Sequence, residues 1–588
     1  MPADSSTIEG SVEFSGDSDE NDIEQEAPRH WWKRPAPWWL LVLTFISTVI
    51  QSATGMPRFE LYRELVCQVH QTEETFASLY LPSDYLLYSP LGPHWFNVIT
   101  NDARENTEKA HFKASAFGCD SGRQFVEAAT LAAVLETTVV VLSFMTVGWW
   151  GSFSDRYGRT RVIAIASIGQ LLAAVNIIFV AKYVQRIPGG YWFLVIDSVI
   201  SGALGGTSSE LVAVMAYMAD VSTPEKRSLL FSFLFGIRLA SIGVGPILGR
   251  GIINITHNLL WVFYLAAVSR IFQACFVLFV LPESLRPAQM DRASRRRQEE
   301  RWLTDRPTPW WYRHLFFLLH PFSVLWPHKI SDENRANGTK RDWTIFILVM
   351  AYGLMLMATS SERVYLFYIW FTLRWDLQDL LYYTSSIAPI RAAYLILVFP
   401  LVIKFFAVRQ NRQNDAPSTS PSEAEPLLSG SSRPSVSDAK THNLSKNLTL
   451  MRFSMLVNIA AFAILPFAPT GLVFILFAML GSFGAGLAPA VHSVALELYT
   501  LRIGTNAPLE TGKLLGALSA VWSIFPYFLG PLLYWHIYAA TFGTFPGAFL
   551  FVALGNGILA FALLTFVRFR TENTSNEDVR DLVNPRTP

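Results

Sequence analysis

Residues 148–163 read Gly-Trp-Trp-Gly-Ser-Phe-Ser-Asp-Arg-Tyr-Gly-Arg-Thr-Arg-Val-Ile and lie between two long apolar segments, 125–147 and 162–183. The glycines of this turn allow two membrane helices to approach each other closely. Asp155 can accept charge-assisted hydrogen bonds from Arg159, and a carboxylate is also favourable at a helix N-terminus. The three arginines of the turn favour a position on the cytoplasmic face of a membrane.

The spacing of the small and charged residues in this turn is more specific than its composition. The residues that carry the spacing are Gly151, Asp155, Arg156, Gly158, Arg159 and Arg161. The pattern resembles the loop between the second and third helices of the major facilitator superfamily, Gly-x-x-x-Asp-Arg-x-Gly-Arg followed by a basic residue. The alternative is a membrane loop that is basic by chance. The resemblance implies a conformational latch that stabilises one end-state of a transport cycle.

The composition is that of a membrane protein. The chain has 588 residues, of which 51% are hydrophobic and 16% charged, whereas soluble proteins have about 25% charged residues. The apolar residues form blocks of about 20 residues, which is long enough for a helix to cross a bilayer. A net charge of +1 gives no support to nucleic-acid binding.

Twelve spans are predicted in two sets of six, which is the layout of two pseudo-symmetric six-helix bundles in an all-α membrane protein. They fall near residues 38–56, 125–148, 161–182, 191–218, 229–253, 259–281, 343–371, 378–407, 451–468, 470–499, 511–538 and 545–567. The predicted domains are a tail 1–37, a bundle 38–281 with an outer loop 57–124, a central loop 282–342, a bundle 343–568 with a loop 409–450, and a tail 569–588.

Charge places both tails, the central loop and the loop 409–450 in the cytoplasm, because the even-numbered connections contain more Lys and Arg than the short odd-numbered ones. The acidic, Ser-rich residues 1–30 are typical of a disordered tail rather than a signal peptide. The Arg- and Trp-rich centre forms either an amphipathic helix on the membrane surface or a charged loop. Residues 423–428, Glu-Ala-Glu-Pro-Leu-Leu, resemble a sorting signal for endosomal or vacuolar membranes; the plasma membrane is the alternative.

The long first loop contains two of the three cysteines. Cys67 and Cys119 form a disulfide if this loop faces an oxidising compartment, or remain two thiols. Asn254 begins an Asn-x-Thr triplet on the outer side. It is a glycosylation candidate although it lies close to the membrane.

Few ionisable residues fall at bilayer depth, where they are costly and face the bundle interior or a cavity. The candidates are Glu136, Asp197, Glu210, Arg238, Arg270, Glu362, Arg391 and His492, with Glu497 nearer the cytoplasmic end of the tenth span. Each either contributes to transport or forms a structural ion pair. Glu136 or Glu210 could neutralise the two arginines of the first bundle. Glu362 and His492 are the best candidates for proton carriers in the second bundle, and Trp522 and Tyr527 are aromatic candidates for the substrate site.

The fifth span contains a glycine- and proline-containing segment made of Gly243, Gly245, Pro246 and Gly249. It resembles, incompletely, the Gly-Pro motif of facilitator antiporters, since Ser241 and Arg250 replace two glycines. Small residues permit close helix crossing or bending, and packing alone is the alternative.

Other segments narrow the resemblance. Residues 219–222 (Ala-Asp-Val-Ser), 240–244 (Ala-Ser-Ile-Gly-Val) and 281–284 (Leu-Pro-Glu-Ser) are similar to the proton-coupled folate transporter and tetracycline-efflux-like groups. Leu239 occupies the position where the folate group is expected to have a carboxylate important for coupling, so folate specificity is not supported. The acidic tail and the long loops are similar to those of fungal members.

These features predict a secondary active transporter of a small organic solute, coupled to protons, with export of a secondary metabolite as one direction. The alternatives are a proton-coupled importer of an organic anion or nutrient, and a solute sensor with the same fold that moves nothing. A membrane enzyme lacks support, because no metal-ligand spacing, phosphate loop or nucleophile motif stands out. We therefore expect no cofactor or metal, and we expect a monomer whose partners are the solute, protons and lipid.

Overall fold

The computed structural model describes residues 35–80, 122–304, 320–330, 340–372, 375, 386–414, 436–468, 470–503 and 510–567. These residues are almost entirely helical, and the exception is a short hairpin in which β1 (His328–Ile330) pairs antiparallel with β2 (Lys340–Asp342). The α-helices are α1 (Pro37–Ala53), α2 (Gly55–Tyr80), α3 (Gly122–Tyr157), α4 (Arg159–Tyr183), α5 (Val195–Ala203), α6 (Gly206–Val221), α7 (Pro224–Thr256), α8 (Leu260–Phe279), α9 (Pro287–Thr304), α10 (Thr344–Thr359), α11 (Glu362–Thr372), α12 (Phe399–Asn414), α13 (Val436–Ile464), α14 (Gly471–Ser482), α15 (Leu487–Ile503), α16 (Thr511–Ile524), α17 (Gly530–Thr541) and α18 (Ala548–Thr565).

Within the described residues, twelve helical segments are long and apolar enough to cross a membrane. We number them spans 1 to 12: Pro37–Val69, Val126–Tyr157, Arg159–Tyr183, Gly190–Val221, Pro224–Thr256, Leu260–Phe279, Thr344–Ile369, Ser386–Phe406, Leu444–Phe467, Gly471–Arg502, Thr511–Thr541 and Ala548–Thr565. Spans 1 to 6 form the first bundle and spans 7 to 12 the second, so the predicted fold class is confirmed. The distribution of Lys and Arg predicts which end of each span faces the cytoplasm. We call that end the cytoplasmic end.

The first span is longer than predicted. After a single-residue turn at Thr54, helix α2 continues the span, so residues 57–80 are helical although the sequence analysis assigned them to a loop. The reason is an apolar stripe at helical spacing that polar residues interrupt. Its members are buried in a hydrophobic cluster with residues of spans 2, 3, 4 and 6; they are Leu61, Tyr62, Leu65 and Val66.

Two predicted cytoplasmic loops also contain helix. Helix α12 runs to Asn414 and α13 begins at Val436, so the ends of the predicted loop 409–450 are helical; residues 415–435 lie outside the described residues. Within 282–342, α9 packs on the cytoplasmic end of span 2 with Ala293 buried. Most of the Trp-rich segment proposed for the membrane surface lies outside the described residues.

Several spans depart from regular α-helix partway along their length, among them spans 4, 8 and 11. Span 4 is interrupted at Gly205 and Gly206, which have φ of +84° and +46°. Span 2 satisfies the carbonyls freed by this break, since Trp150 Nε1 donates to Ala203 O at 3.0 Å and Thr146 Oγ1 donates to Gly202 O at 2.7 Å. Spans 8 and 11 contain π-helical segments, Tyr394–Val398 and Phe525–Leu529. Irregular helix at membrane depth is tolerated where protein or a cavity satisfies the backbone, and π-segments are frequent at functional sites.

Candidate functional site

The two bundles are joined at their cytoplasmic ends by a carboxylate on one and a helix start on the other. Asp155, at the end of span 2, accepts hydrogen bonds from the backbone N–H groups of Gly512 at 2.9 Å and Lys513 at 2.8 Å. These N–H groups belong to the first turn of span 11, where the helix leaves donors unpaired and its dipole is positive. Asp155 of the first bundle therefore caps a helix of the second.

Arg159 lies behind this cap and is completely buried. Its Nη1 is 2.6 Å from Asp155 Oδ1, and its Nε is 3.0 Å from Asp220 Oδ2 at the end of span 4. Its Nη2 donates to Thr511 Oγ1 at 2.5 Å, at the start of span 11. One guanidinium thus binds two carboxylates and two hydroxyls, of Ser154 and Thr511, across both bundles, which is the pairing that a buried charge requires. We call Asp155, Arg159, Asp220, Thr511 and Gly512 the cytoplasmic contact.

Glycines allow this contact to form. A methyl group on Gly151 would overlap the carbonyl of Gly512, and one on Gly512 would overlap the carbonyl of Gly151. Gly158 has φ of +102° and begins span 3. Glu283 caps that helix, because its carboxylate accepts from the N–H groups of Arg159 at 2.9 Å and Thr160 at 3.1 Å.

Arg156 and Arg161, two charged residues assigned to the latch, form no part of the cytoplasmic contact. Arg156 Nε donates to Ser152 O at 3.1 Å, and its guanidinium lies 5.7 Å from the Tyr157 ring. Arg161 is exposed. Arg156 follows the buried Asp155 by one position, and Arg161 follows the buried Arg159 by two. Both side chains therefore lie on other faces of their helices than the buried residues.

A second contact joins the bundles at the cytoplasmic ends of other spans. Ser228 Oγ, near the start of span 5, donates to Asn447 Oδ1 at 2.8 Å, and Asn447 Nδ2 donates to Glu497 Oε1 at 2.8 Å. Asn447 lies in the first turn of span 9 as Arg159 lies in the first turn of span 3, and Glu497 lies near the end of span 10 as Asp220 lies near the end of span 4. The second contact is therefore the pseudo-symmetric counterpart of the first, with an amide in place of the guanidinium.

An aromatic cluster lies between the bundles on the membrane side of these contacts. His492 of span 10 is buried, with ring centroids 5.7 Å from Phe235, 5.9 Å from Tyr352 and 6.4 Å from Phe231. Trp522 of span 11 lies 6.0 Å from Phe235. Spans 5, 7, 10 and 11 thus meet through rings, and His492 Nδ1 lies 2.7 Å from Ala488 O.

A polar network fills the interior of the first bundle. Glu210 accepts from Gln170 Nε2 at 2.7 Å and from Gln273 Nε2 at 2.5 Å. Arg270 Nη1 lies 3.7 Å from Glu210 and donates to Gln273 Oε1 at 2.6 Å, and Nη2 donates to Gln51. Of the two carboxylates proposed to neutralise Arg270, Glu210 does so.

Glu136 occupies another part of the first bundle. Its carboxylate and that of Asp197 interact electrostatically with Arg58, on the helical extension of span 1. Asp197 is buried and Glu136 is exposed. Of the two alternatives, Glu136 is therefore the one that lies near Arg58 rather than Arg270. Arg58 belongs to a segment that was predicted to be a loop.

In the second bundle Glu362 and Arg391 form an ion pair between spans 7 and 8. Both side chains are partly exposed and line a cavity together with Tyr365 and Asn458. The next residue, Arg363, lies with its guanidinium 4.4 Å from the ring centroid of Tyr527, in the π-helical segment of span 11.

The remaining candidates have other surroundings. Gly245 and Gly249, on either side of Pro246, pack against span 1, where a methyl group on either would meet the backbone at Ala53, and Gly243 faces Pro389 of span 8. Cys67 is disulfide-bonded and Cys275 is free; Cys119 lies outside the described residues, so the pairing stays a prediction. Asn254 is exposed in the last turns of span 5.

Six residues that form or cap these contacts were not predicted from the sequence: Asp220, Glu283, Ser228, Asn447, Thr511 and Gly512. Asp220 and Glu283 stand in segments that carried the family resemblance, which is a signal that could have found them. Thr511 and Asn447 carry no local signal, because their partners are more than 200 residues away in the chain.

Comparisons with known proteins show the family and the fold. An uncharacterized membrane protein of Saccharomyces cerevisiae is 21% identical over 74% of this chain and 76% of its own. MFS-type transporter avaJ of Aspergillus versicolor is 22% identical over 70% of this chain and 71% of its own. The crystal structure of the human organic anion transporter MFSD10 (TETRAN) has a similar fold, with a TM-score of 0.57 at 15% identity, over 90% of this chain and all of that one. Because residues 117–414 also match the family model described as Major Facilitator Superfamily, the chain belongs to that superfamily.

Proposed function

We propose that this protein is a secondary active transporter that moves a small organic solute by alternating access between two rocking bundles. The observation that carries the proposal is the cytoplasmic contact, in which Asp155 and Arg159 of the first bundle bind the start of span 11 in the second. The contact consists of a few directional hydrogen bonds and ion pairs between bundles, which can break and re-form as a unit. Its formation closes the cytoplasmic end, and its rupture opens that end.

The middle of the membrane supports the same proposal. The first bundle has the break in span 4, and the second bundle has the π-helical segments of spans 8 and 11. Carriers bind their solutes at such irregular segments near the middle of the membrane. The aromatic cluster around His492 separates this region from the cytoplasmic contact. A solute that enters from outside would meet Arg238, Tyr527 and Trp522 above that cluster.

For proton coupling we propose Glu362 rather than His492. Glu362 is partly exposed beside a cavity and pairs with Arg391, so protonation of its carboxylate would release the arginine and change how spans 7 and 8 pack. His492 is enclosed by rings of both bundles, which suits a structural role in the closed state. As the direction of transport we propose export of a metabolite, with import as the alternative.

The experiment compares metabolites inside cells with and without the protein, each with and without a proton gradient. A solute whose level depends on the protein and on the gradient supports the proposal, and the sign of the change gives the direction. Glu362→Gln should remove the dependence on the gradient while Arg250→Gln, on an exposed outer site, should not. Solute binding by purified protein without flux in proteoliposomes would instead favour a sensor.

A further inference from the structure

Arg238 differs from Arg270 and Arg391, which each form an ion pair inside a bundle. It is half-buried at the centre of span 5. Among the described residues its guanidinium makes neither a hydrogen bond nor an ion pair, although it lies close enough to Glu210 and Tyr527 to interact electrostatically with both. Its nitrogens are not among the buried side-chain atoms that lack a hydrogen-bond partner, so the unpaired guanidinium keeps some accessible surface. A charge at this depth is normally paired or faces a pathway.

The nearest carboxylate cannot serve as its counter-ion in this arrangement. Both oxygens of Glu210 are bound by amides, one by Gln170 and one by Gln273, and Arg270 is its ion-pair partner. Arg270 in turn interacts with Arg238 by like-charge repulsion. Two arginines therefore lie near one carboxylate, and Arg238 is the arginine without a counter-ion.

Arg238 lies directly outward of the aromatic cluster. It follows Phe235 by three residues, which places the two side chains on neighbouring turns of one helix face. Phe235 contacts Trp522 and His492. At a rise of about 1.5 Å per residue, Arg238 and Tyr527 lie at similar distances from the cytoplasmic ends of spans 5 and 11. The guanidinium of Arg238 thus lies on the outer side of the aromatic cluster, at the depth of Tyr527.

The second bundle adds another positive charge at this place. Arg363 rests on the ring of Tyr527 at 4.4 Å, and within the described part of the chain no carboxylate lies within ion-pair distance of it. Glu362 is already paired with Arg391. One unpaired arginine from each bundle therefore approaches Tyr527, whereas the carboxylates of Asp197 and Glu136 face Arg58.

We propose that the solute is an organic anion whose carboxylate binds Arg238, with its apolar body on Phe235, Trp522 and Tyr527. The proposal rests on the transport function proposed above and names its substrate class. A guanidinium fork matches a carboxylate and forms two parallel hydrogen bonds with it. The two unpaired arginines exclude organic cations by repulsion, and the bound anion supplies the missing counter-charge when the bundles close around it.

The test uses fluorescence quenching of Trp522, which is half-buried beside the proposed site. The full-length protein is placed in nanodiscs of uncharged phosphatidylcholine, and quenching by iodide, caesium and acrylamide is measured. The Trp522 component is the difference between wild type and Trp522→Phe. We expect iodide to quench this component about threefold more strongly than caesium after scaling to acrylamide, because a positive site concentrates anions.

Variants separate Arg238 from the general charge of the protein. Arg238→Gln should abolish the preference for iodide and Arg238→Lys should keep most of it. Arg250→Gln is the matched control, because Arg250 lies exposed on the same span. Sodium benzoate should protect Trp522 from iodide while its uncharged analogue benzamide should not. Three results would overturn the proposal: equal quenching by iodide and caesium in wild type, a wild-type preference for iodide in Arg238→Gln, or equal effects of benzoate and benzamide. If Arg238→Gln does not fold, the ratio of iodide to caesium quenching in wild type decides.

Flux distinguishes this inference from the transport function. If the accumulation experiment identifies a neutral or cationic solute, transport stands and the anion class is wrong. If iodide preference and benzoate protection hold in a protein that moves no solute into proteoliposomes, the anion site stands and transport is wrong.

Discussion

The carboxylate of Asp155 accepts a hydrogen bond from the backbone N–H of Gly512 at 2.9 Å, although the two residues are 357 positions apart in the chain. This bond connects the turn at residues 148–163 with the opposite bundle. It gives the motif a physical task, since a negative charge at a helix start is favourable only while the two bundles stay together.

Asp155→Asn should lower the transport rate about tenfold while expression is retained, because the amide keeps the size of the side chain but removes a charge bound by Arg159 and two backbone donors. The measurement is the initial rate per molecule in the membrane. Arg161→Gln serves as the control, because Arg161 belongs to the same motif but is exposed. Unchanged flux in Asp155→Asn would remove the latch role.

Gly151→Ala should favour the state that is open to the cytoplasm, because the added methyl group overlaps the carbonyl of Gly512. Close approach of helix backbones depends on small residues. Gly555→Ala on span 12 is the matched control, since nothing lies within 4 Å of a methyl group placed there. Labelling of a cysteine on the cytoplasmic face of span 11 should rise in the first variant and stay constant in the second.

Glu210→Ala should destabilise the protein by about 3 kcal/mol, because it leaves the Arg270 charge unpaired inside the first bundle. Glu210→Ala combined with Arg270→Met should recover part of the loss, since no charge then remains unpaired. Thermal unfolding in detergent provides the measurement. A double variant less stable than the single one would contradict the structural pairing of Glu210 with Arg270.

Asn447→Leu should weaken closure at the cytoplasmic end as Asp155→Asn does, but to a smaller extent. The leucine removes two hydrogen bonds that link Ser228 to Glu497 but no ion pair between charged side chains, whereas Asp155→Asn removes one that involves Arg159. Combining both variants should open the cytoplasmic end further than either alone. A combined effect equal to that of Asp155→Asn would mean that the second contact does not hold the bundles.

The sequence predicts the fold well because span length and hydropathy are local properties. The positions of twelve spans and the two-bundle layout follow from them, as does the turn that contains Asp155. The helical extension of span 1 was missed because Arg63 and Glu64 interrupt an apolar stripe whose partners lie in other spans, chiefly span 2. The hydropathy of residues 38–56 does not indicate that the helix continues beyond them.

The site was predictable only in part, for a related reason. Sequence places Arg238, Arg270 and Glu210 at membrane depth but does not say which arginine the carboxylate serves. The answer depends on Gln170 and Gln273, which hold Glu210 toward Arg270. Likewise, Thr511 is an ordinary threonine until span 11 meets Arg159. Pairing across bundles is a property of the assembled fold.

Access to a cysteine at mid-membrane from each side tests alternating access most directly. In a Cys275→Ser background, Tyr527→Cys is exposed to a membrane-impermeant maleimide from outside in one sample of vesicles and from the cytoplasmic side in another. We predict labelling from outside in the otherwise unaltered protein, and labelling from the cytoplasmic side that rises about tenfold when Asp155→Asn breaks the contact. Labelling from one side only, at the same rate with and without Asp155→Asn, would contradict the account.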